Sequence, residues 1–167
     1  NYIFDQVMEA GAEFDIKPFG IRAMDSMRLE KSYRLIPREM SIEYSAFESG
    51  LDRFVRLDKE DDFIGKAALA EWQQRGADNG FVTIEVLDVV DADARGSEAI
   101  YKDGEVVGRG TSGGYGWRCG KSLALGLVRV DLAKIGTELE IEILGKNYQA
   151  IVIEESPFDP TNECLRS

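Results

Sequence analysis

The stretch Gly108–Gly126, GRGTSGGYGWRCGKSLALG, decides how the chain is read. Its Gly120-Lys121-Ser122 invites comparison with a phosphate-binding loop. Such a loop needs four residues between its first glycine and the Gly-Lys-Ser, so that successive N–H groups curl around the phosphates before a helix begins. Here Tyr115 stands where that glycine should be, and Gly116 and Gly114 sit one residue to either side of it. The residues beyond Ser122 carry no helical pattern either. Leu123, Leu125 and Leu127 alternate with smaller residues and Val128 and Val130 close the run, a period-2 strand pattern. The glycines from Gly108 to Gly120 are therefore read as turn and bulge residues linking strands, at positions of positive φ or close backbone approach.

The strand pattern extends on both sides of this stretch. From Gly80 onward, five segments alternate with period 2: FVTIEVL (81–87), SEAIYKDGEVVGRGTS (97–112), KSLALGLVRV (121–130), TELEIEIL (137–144) and NYQAIVIEE (147–155). The second carries Asp103-Gly104, set for a primed hairpin turn, and a turn at Gly145-Lys146 returns the last segment. In the fourth, Leu139, Ile141 and Ile143 should point inward and Glu138, Glu140 and Glu142 outward. Short strands at this spacing predict a small closed or nearly closed antiparallel barrel, because closure removes the sheet edges.

Upstream the period is helical. Ile3 and Val7, and Phe4 and Met8, pair at i,i+4 in a helix over 1–12 with Gly11 as its stop. After a turn at Pro18, Ile21, Met24 and Met27 mark a second helix over 19–33, stopped by Pro37. SAFESGLDRFVRLDK (45–59) reads as a short helix and then a strand ending near Leu57. A third helix takes Asp62 as its cap, turns Ile64, Ala68, Leu69 and Trp72 to one face and ends at Gly76, with Trp72 in the core. The fold class is thus α+β, with a helical region over 1–76 and a barrel over 77–167. The chain opens directly on helical spacing without methionine or a cap, so it reads as a piece whose N-terminal part has been removed.

Charge narrows the partners. With 31 acidic and 20 basic residues in 167, the net charge is −11, a repulsive field for nucleic acid. No run is long and apolar enough for a membrane helix. Arg22–Arg38 has five basic and two acidic residues, which suits either a small-anion site or a solvated helix face. Cys119 and Cys164 form no metal or redox spacing, the simplest reading being a reduced, intracellular chain. There is no histidine, which removes His-based triads, imidazole metal sites and His general bases together.

Four phrases carry a family resemblance. GIRAMDSMRLEK (20–31), DDFIGKAAL (61–69), GRGTSGGYGWRCGKSLALGLV (108–128) and PFDPTN (157–162) resemble, in order, motifs of the glycine-cleavage T-protein, the aminomethyltransferase family. AMDSMRLEKSYR, GLDRFVRLDK and DPTNECLRS resemble the folate-binding C-terminal half of the sarcosine and dimethylglycine dehydrogenases. The resemblance implies the end of a folate-binding region followed by a C-terminal barrel. It further implies a tetrahydrofolate-dependent transfer of a one-carbon unit from an amine, giving 5,10-methylene-tetrahydrofolate in the parent protein. The family's essential aspartate lies upstream of these residues, so no catalytic residue is expected here, and the chain alone is expected to be inactive. The partner implied is the missing N-terminal folate-binding region. FAD would enter only with an upstream dehydrogenase domain, and no flavin fingerprint is present. Bacterial cytoplasm and mitochondrial matrix both fit. The other reading open is a non-catalytic interaction or regulatory module that has lost folate.

The resemblance also carries over residue by residue. The family's folate-contacting arginine aligns with Met24; Arg22, two residues back, either presents its guanidinium to the folate glutamate or lies in solvent. Arg28 and Glu30 match the family's Arg-Leu-Glu and are expected to form a structural ion pair. Arg53 stands where the family often has a tryptophan beside the folate, and Glu163 where it has a tyrosine that reaches the site. Tyr115, Trp117 and Arg118 replace a Ser-Pro turn and either line the channel mouth or cover the barrel end. The candidate cofactor-binding set is Arg22, Met24, Arg28, Arg53, Tyr115 and Glu163.

Overall fold

The computed structural model describes residues 1–166, so the last residue of the barrel region as read from sequence, Ser167, lies outside the described residues. Three helices come first: α1 (Tyr2–Gly11), α2 (Ile21–Glu30) and α3 (Lys66–Arg75). Six strands come next: β1 (Asn79–Val86), β2 (Ala99–Lys102), β3 (Glu105–Gly116), β4 (Lys121–Arg129), β5 (Glu138–Ile143) and β6 (Lys146–Ile153). A single turn of helix, α4 (Glu163–Arg166), comes last. The fold is α+β, as the alternating patterns required.

The strands close into an antiparallel barrel in the order β1-β4-β3-β2-β5-β6, with β6 returning to β1 through pairs such as Ile84 with Val152. The two tightest hairpin turns put both central residues at positive φ, 52° and 81° at Asp103-Gly104 and 50° and 76° at Leu144-Gly145. Primed turns have this geometry because their twist matches that of the strands they join. The alternation in β5 holds: Leu139, Ile141 and Ile143 are buried with Ile84, Ile100 and Val152 in the barrel interior.

β4 is buried on both faces. Ala124 and Val128 face the interior cluster, whereas Leu123, Leu125 and Leu127 pair across the strands with Glu85, Thr83 and Phe81 on the outer face. These leucines are at most 2% exposed because α2 and the segment after it cover that face. The outer face is thus a second core, and it seats the helical region.

Several expectations change. Gly108–Gly116 lie inside β3 instead of in a connecting loop. Their smallness admits neighbours: a Cβ on Gly113 would collide with the Ala94 carbonyl oxygen, and one on Gly108 with that of Leu127. A register shift between Gly110 and Ser112 supplies a bulge, and Gly120, at φ 65°, is a turn glycine. Gly11 is right-handed at φ −84°; the left-handed stop is Asp15, after a further short turn. Helix α2 ends where Ser32 takes φ 53°, well before Pro37. Residues 45–59 hold only turns and a short 3-10 segment, Asp52–Phe54, with no strand. Gly65 caps α3 in place of Asp62, whose carboxylate accepts from the Phe63 N–H. Helix α3 has no buried residue, Ile64 is fully exposed, and Trp72 is half-buried under the Arg75 guanidinium at 3.8 Å. Trp72 is therefore not a core residue: α3 lies on the periphery, and its aromatic ring stacks on its own helix.

Candidate functional site

The C-terminal turn of α2 is the part of the helical region that reaches deepest. Arg28, Leu29 and Glu30 are buried there, while Ile21, Met24 and Met27, the apolar stripe seen in sequence, are exposed. Gly116 permits this seating, since a Cβ on it would meet Glu30 Cγ at 3.0 Å. Glu30 then accepts the backbone N–H groups of Arg118 and Cys119 at 2.5 and 3.1 Å, tying the turn after β3 to the helix. Arg28 donates to Asp25 at 2.6 Å, to the Tyr33 carbonyl at 3.1 Å and to Ser112 Oγ at 2.9 Å. Arg28 and Glu30 are structural, but they do not pair with each other, because helix residues two apart point in different directions.

Behind Arg28 lies a buried carboxylate that sequence reasoning missed. Glu39 is 0% exposed and accepts from Thr111 Oγ1 and Ser112 Oγ, both at 2.6 Å, and from the Leu35 N–H at 2.8 Å, with Arg28 4.0 Å away. Glu48 is a second, taking the N–H of Ser45 and both donors of Asn79. Burial works to raise the Glu48 carboxyl, yet these hydrogen bonds outweigh it and hold the group below the ordinary carboxylate value. Among the described residues no buried side-chain polar atom lacks a partner. Neither glutamate stands in a motif, and an acid with one polar and one apolar neighbour in sequence gives no sign of burial.

Between the free end of α2, the loop before β2 and the end of β3 opens a cleft of about 950 Å³. Arg22, Met24, Arg28 and Tyr115 all line it; Arg53 and Glu163 do not. Arg53 lies over the Phe54 ring at 4.8 Å, and Glu163 begins α4, its N–H donating to the Asp159 carboxylate at 2.8 Å. Tyr115 and Trp117 meet edge to face at 5.0 Å on the rim, and Trp117 is 80% exposed. Trp117 therefore lines the mouth and covers nothing. Arg118 turns away, over the Phe158 ring at 5.2 Å.

The charges around the cleft are unequal in their partners. Asp25 has Arg28, Asp91 has Lys146 at 3.3 Å, Asp93 accepts from Ser122 Oγ at 2.6 Å, and Glu98 accepts the N–H groups of Arg95 and Gly96. Among the described residues, the guanidinium groups of Arg22 and Arg95 have no hydrogen-bond or ion-pair partner. The cleft thus offers two free guanidinium groups among four arginines and four carboxylates. Among the described residues no group of three or more acidic or cysteine side chains could hold a metal ion. A second hollow of about 530 Å³, lined by Ile36, Met40, Ile42 and Leu51 among others, carries no charged side chain.

Comparison with known proteins places this architecture. Residues 80–159 match the family model described as the glycine cleavage T-protein C-terminal barrel domain, and residues 1–59 match the GCVT N-terminal domain. The chain belongs to the glycine cleavage T-protein family. It is 42% identical over 166 residues to mitochondrial dimethylglycine dehydrogenase of Homo sapiens, covering 98% of this chain and 19% of that protein. It is 36% identical over 156 residues to aminomethyltransferase of Bacillus cytotoxicus, covering 93% of this chain and 42% of that protein. The crystal structure of glycine cleavage system aminomethyltransferase T from Bartonella henselae matches with a TM-score of 0.85 over 93% of this chain and 44% of that one. At 23% identity, that likeness speaks for the fold. The chain spans about a fifth of the dehydrogenase and about two fifths of the aminomethyltransferase.

Proposed function

We propose that this chain forms one wall of a tetrahydrofolate site in a one-carbon transferase, as the folate half of a protein of the dimethylglycine or sarcosine dehydrogenase type. The observation that carries the reading is the cleft between α2 and the barrel end, open and carrying the unpartnered Arg22 and Arg95 on an otherwise acidic chain. A folate fits this donor set: it is a planar aromatic ligand with carboxylates at one end, and the cleft has an aromatic rim and spare guanidinium groups. Arg22 would hold a carboxylate, Tyr115 would flank a ring, and Met24 would make an apolar contact where the family has arginine. Arg28 acts through others, fixing Asp25 and the Ser112 hydroxyl on β3. When bound, tetrahydrofolate supplies the nitrogens that take up a one-carbon unit. The residues here bind and orient, and the catalytic acid is assigned to the N-terminal folate-binding region.

That region is the proposed partner, with an amine as small-molecule substrate. The support is the apolar face of α1, where Tyr2, Ile3, Phe4 and Val7 are each at least 50% exposed, a face that in water calls for a cover. FAD enters only if a flavin domain belongs to the same polypeptide, and the compartment is mitochondrial matrix or bacterial cytoplasm. One observation favours a second reading, a non-catalytic module: Met24, 47% exposed at the cleft, cannot make the charged contact of the family's arginine. Titrating folinic acid into the full natural polypeptide by calorimetry separates the two. Saturable binding supports the folate site, and its absence supports the module.

A further inference from the structure

Of the four asparagines, Asn1, Asn79, Asn147 and Asn162, only Asn79 is followed by glycine, in the stretch Asp78-Asn79-Gly80 where the connection from α3 enters β1. Asn-Gly is the dipeptide most open to self-cyclisation, because a following residue without a side chain leaves its nitrogen unhindered. Neither residue can be exchanged freely. A Cβ on Gly80 would lie 2.7 Å from the Ala133 Cβ, so the fold requires glycine there. Asn79 is tied to the helical region: its N–H and its carboxamide Nδ2 both donate to Glu48 Oε1, each at 3.3 Å.

The dipeptide is bracketed on both sides. The Val130 N–H donates to the Asp78 carbonyl at 3.0 Å, and the Phe81 N–H donates to the Glu48 carbonyl at 2.9 Å. Within β1, Asn79 and Gly80 stand in register with Arg129 and Val128 of β4. Extended backbone, at a ψ of about +135°, turns the nitrogen of the next residue away from the side chain that must meet it. The tether to Glu48 holds the carboxamide carbon off that nitrogen as well. A labile pair is thus kept at a position the fold needs, and the fold itself restrains it.

We propose that Asn79 is a deamidation site held latent by Glu48, and that its conversion loosens the seam between the helical region and the barrel. When the seam opens, the Gly80 nitrogen bonds to Asn79 Cγ, the Cγ–Nδ2 bond breaks, and ammonia leaves with the Gly80 amide proton. Water then opens the cyclic imide at either carbonyl, giving aspartate or isoaspartate. Aspartate sets a carboxylate where a donor stood, against Glu48, which is 2% exposed. Isoaspartate adds a carbon to the main chain at the first residue of β1, where one extra link shifts the pairing. Neither product reverts to asparagine.

The test incubates the full natural polypeptide in mildly alkaline buffer and follows the tryptic peptide 76–95 by mass spectrometry. Asn79 is the only amide side chain in that peptide, so a gain of one mass unit reports it alone. Glu48→Ala should deamidate there about tenfold faster than wild type, and Glu48→Gln, which keeps an acceptor, within about threefold of it. In urea, wild type and Glu48→Ala should react equally fast. The product is tested separately: Asn79→Asp should lower the urea midpoint, and by less in the Glu48→Gln background, where the new carboxylate meets no charge. That cycle needs no Glu48→Ala protein, so it decides even where this variant does not fold. Equal rates in folded wild type and folded Glu48→Ala, or an Asn79→Asp cost unchanged by Glu48→Gln, would overturn the assignment.

Discussion

At the scale of single residues, buried acids hold the helical region to the barrel. Glu39 answers three donors with one carboxylate, and removing it would leave the Ser112 hydroxyl and the Leu35 N–H without an acceptor in a site closed to water, Thr111 keeping only the Leu125 carbonyl. Glu39→Ala should therefore cost about 3 kcal/mol, read as a lowered urea midpoint at unchanged slope, and Glu39→Gln distinctly less. Glu48 gives a pH signature. Its carboxyl lies below the ordinary value of 4.5 in the folded chain, so its contribution to stability is complete above that value. It is lost as pH falls through the lower, folded value. The stability gap between wild type and Glu48→Gln should accordingly shrink as pH is taken from 6 down through about 3 in chemical denaturation. Burial, aided by the Glu30 charge, pushes the Cys119 thiol above its ordinary value. Cys119 should alkylate more slowly than a free cysteine at pH 8, and Glu30→Gln should speed the reaction, as peptide mapping after a timed iodoacetamide pulse would register.

Among elements, those with strict period were the legible ones. The alternation of β5 and the Asp103-Gly104 turn stand in the structure as the sequence pattern required, because a two-residue period and a primed turn depend on local chemistry alone. The four family phrases located α2 and β3 for the same reason, being short and contiguous. Long-range packing was not legible. β4 carries its leucines outward because α2 roofs them, and nothing in SLALGLV announces that roof. The stripe Ile21, Met24, Met27 marks α2 yet stays exposed, since an apolar stripe tells of burial only when a neighbour arrives. Of the cleft, α2 and the Tyr115 turn could be read from motifs; Arg95 and Glu39 come from segments without any. Two substitutions check the packing. Trp72→Ala should cost about 2 kcal/mol, more than an exposed cation–π contact alone and less than the about 3–5 that a core tryptophan would cost. Gly113→Ala drives a methyl into the backbone oxygen of Ala94 and should cost about 2–3 kcal/mol in thermal or urea unfolding.

For the whole molecule, one ammonium group has consequences out of proportion to its size. Lys31 Nζ donates to the carbonyls of Phe158 and Asp159 and to Asn162 Oδ1, at 3.2, 2.5 and 2.8 Å, while Ser156 bonds Ser32 Oγ and the Lys31 carbonyl. The Glu30 carbonyl takes the Phe158 N–H as well. This explains why PFDPTN reads as a motif: its turns aim oxygens at a lysine far away in sequence. It also means that the helical region and the end of the chain are knotted into one clasp around the barrel. A protease that nicks the connection at 76–78 would cut a thread without opening the clasp, and the two pieces should leave a sizing column together, with Lys31→Met loosening only the end of the chain.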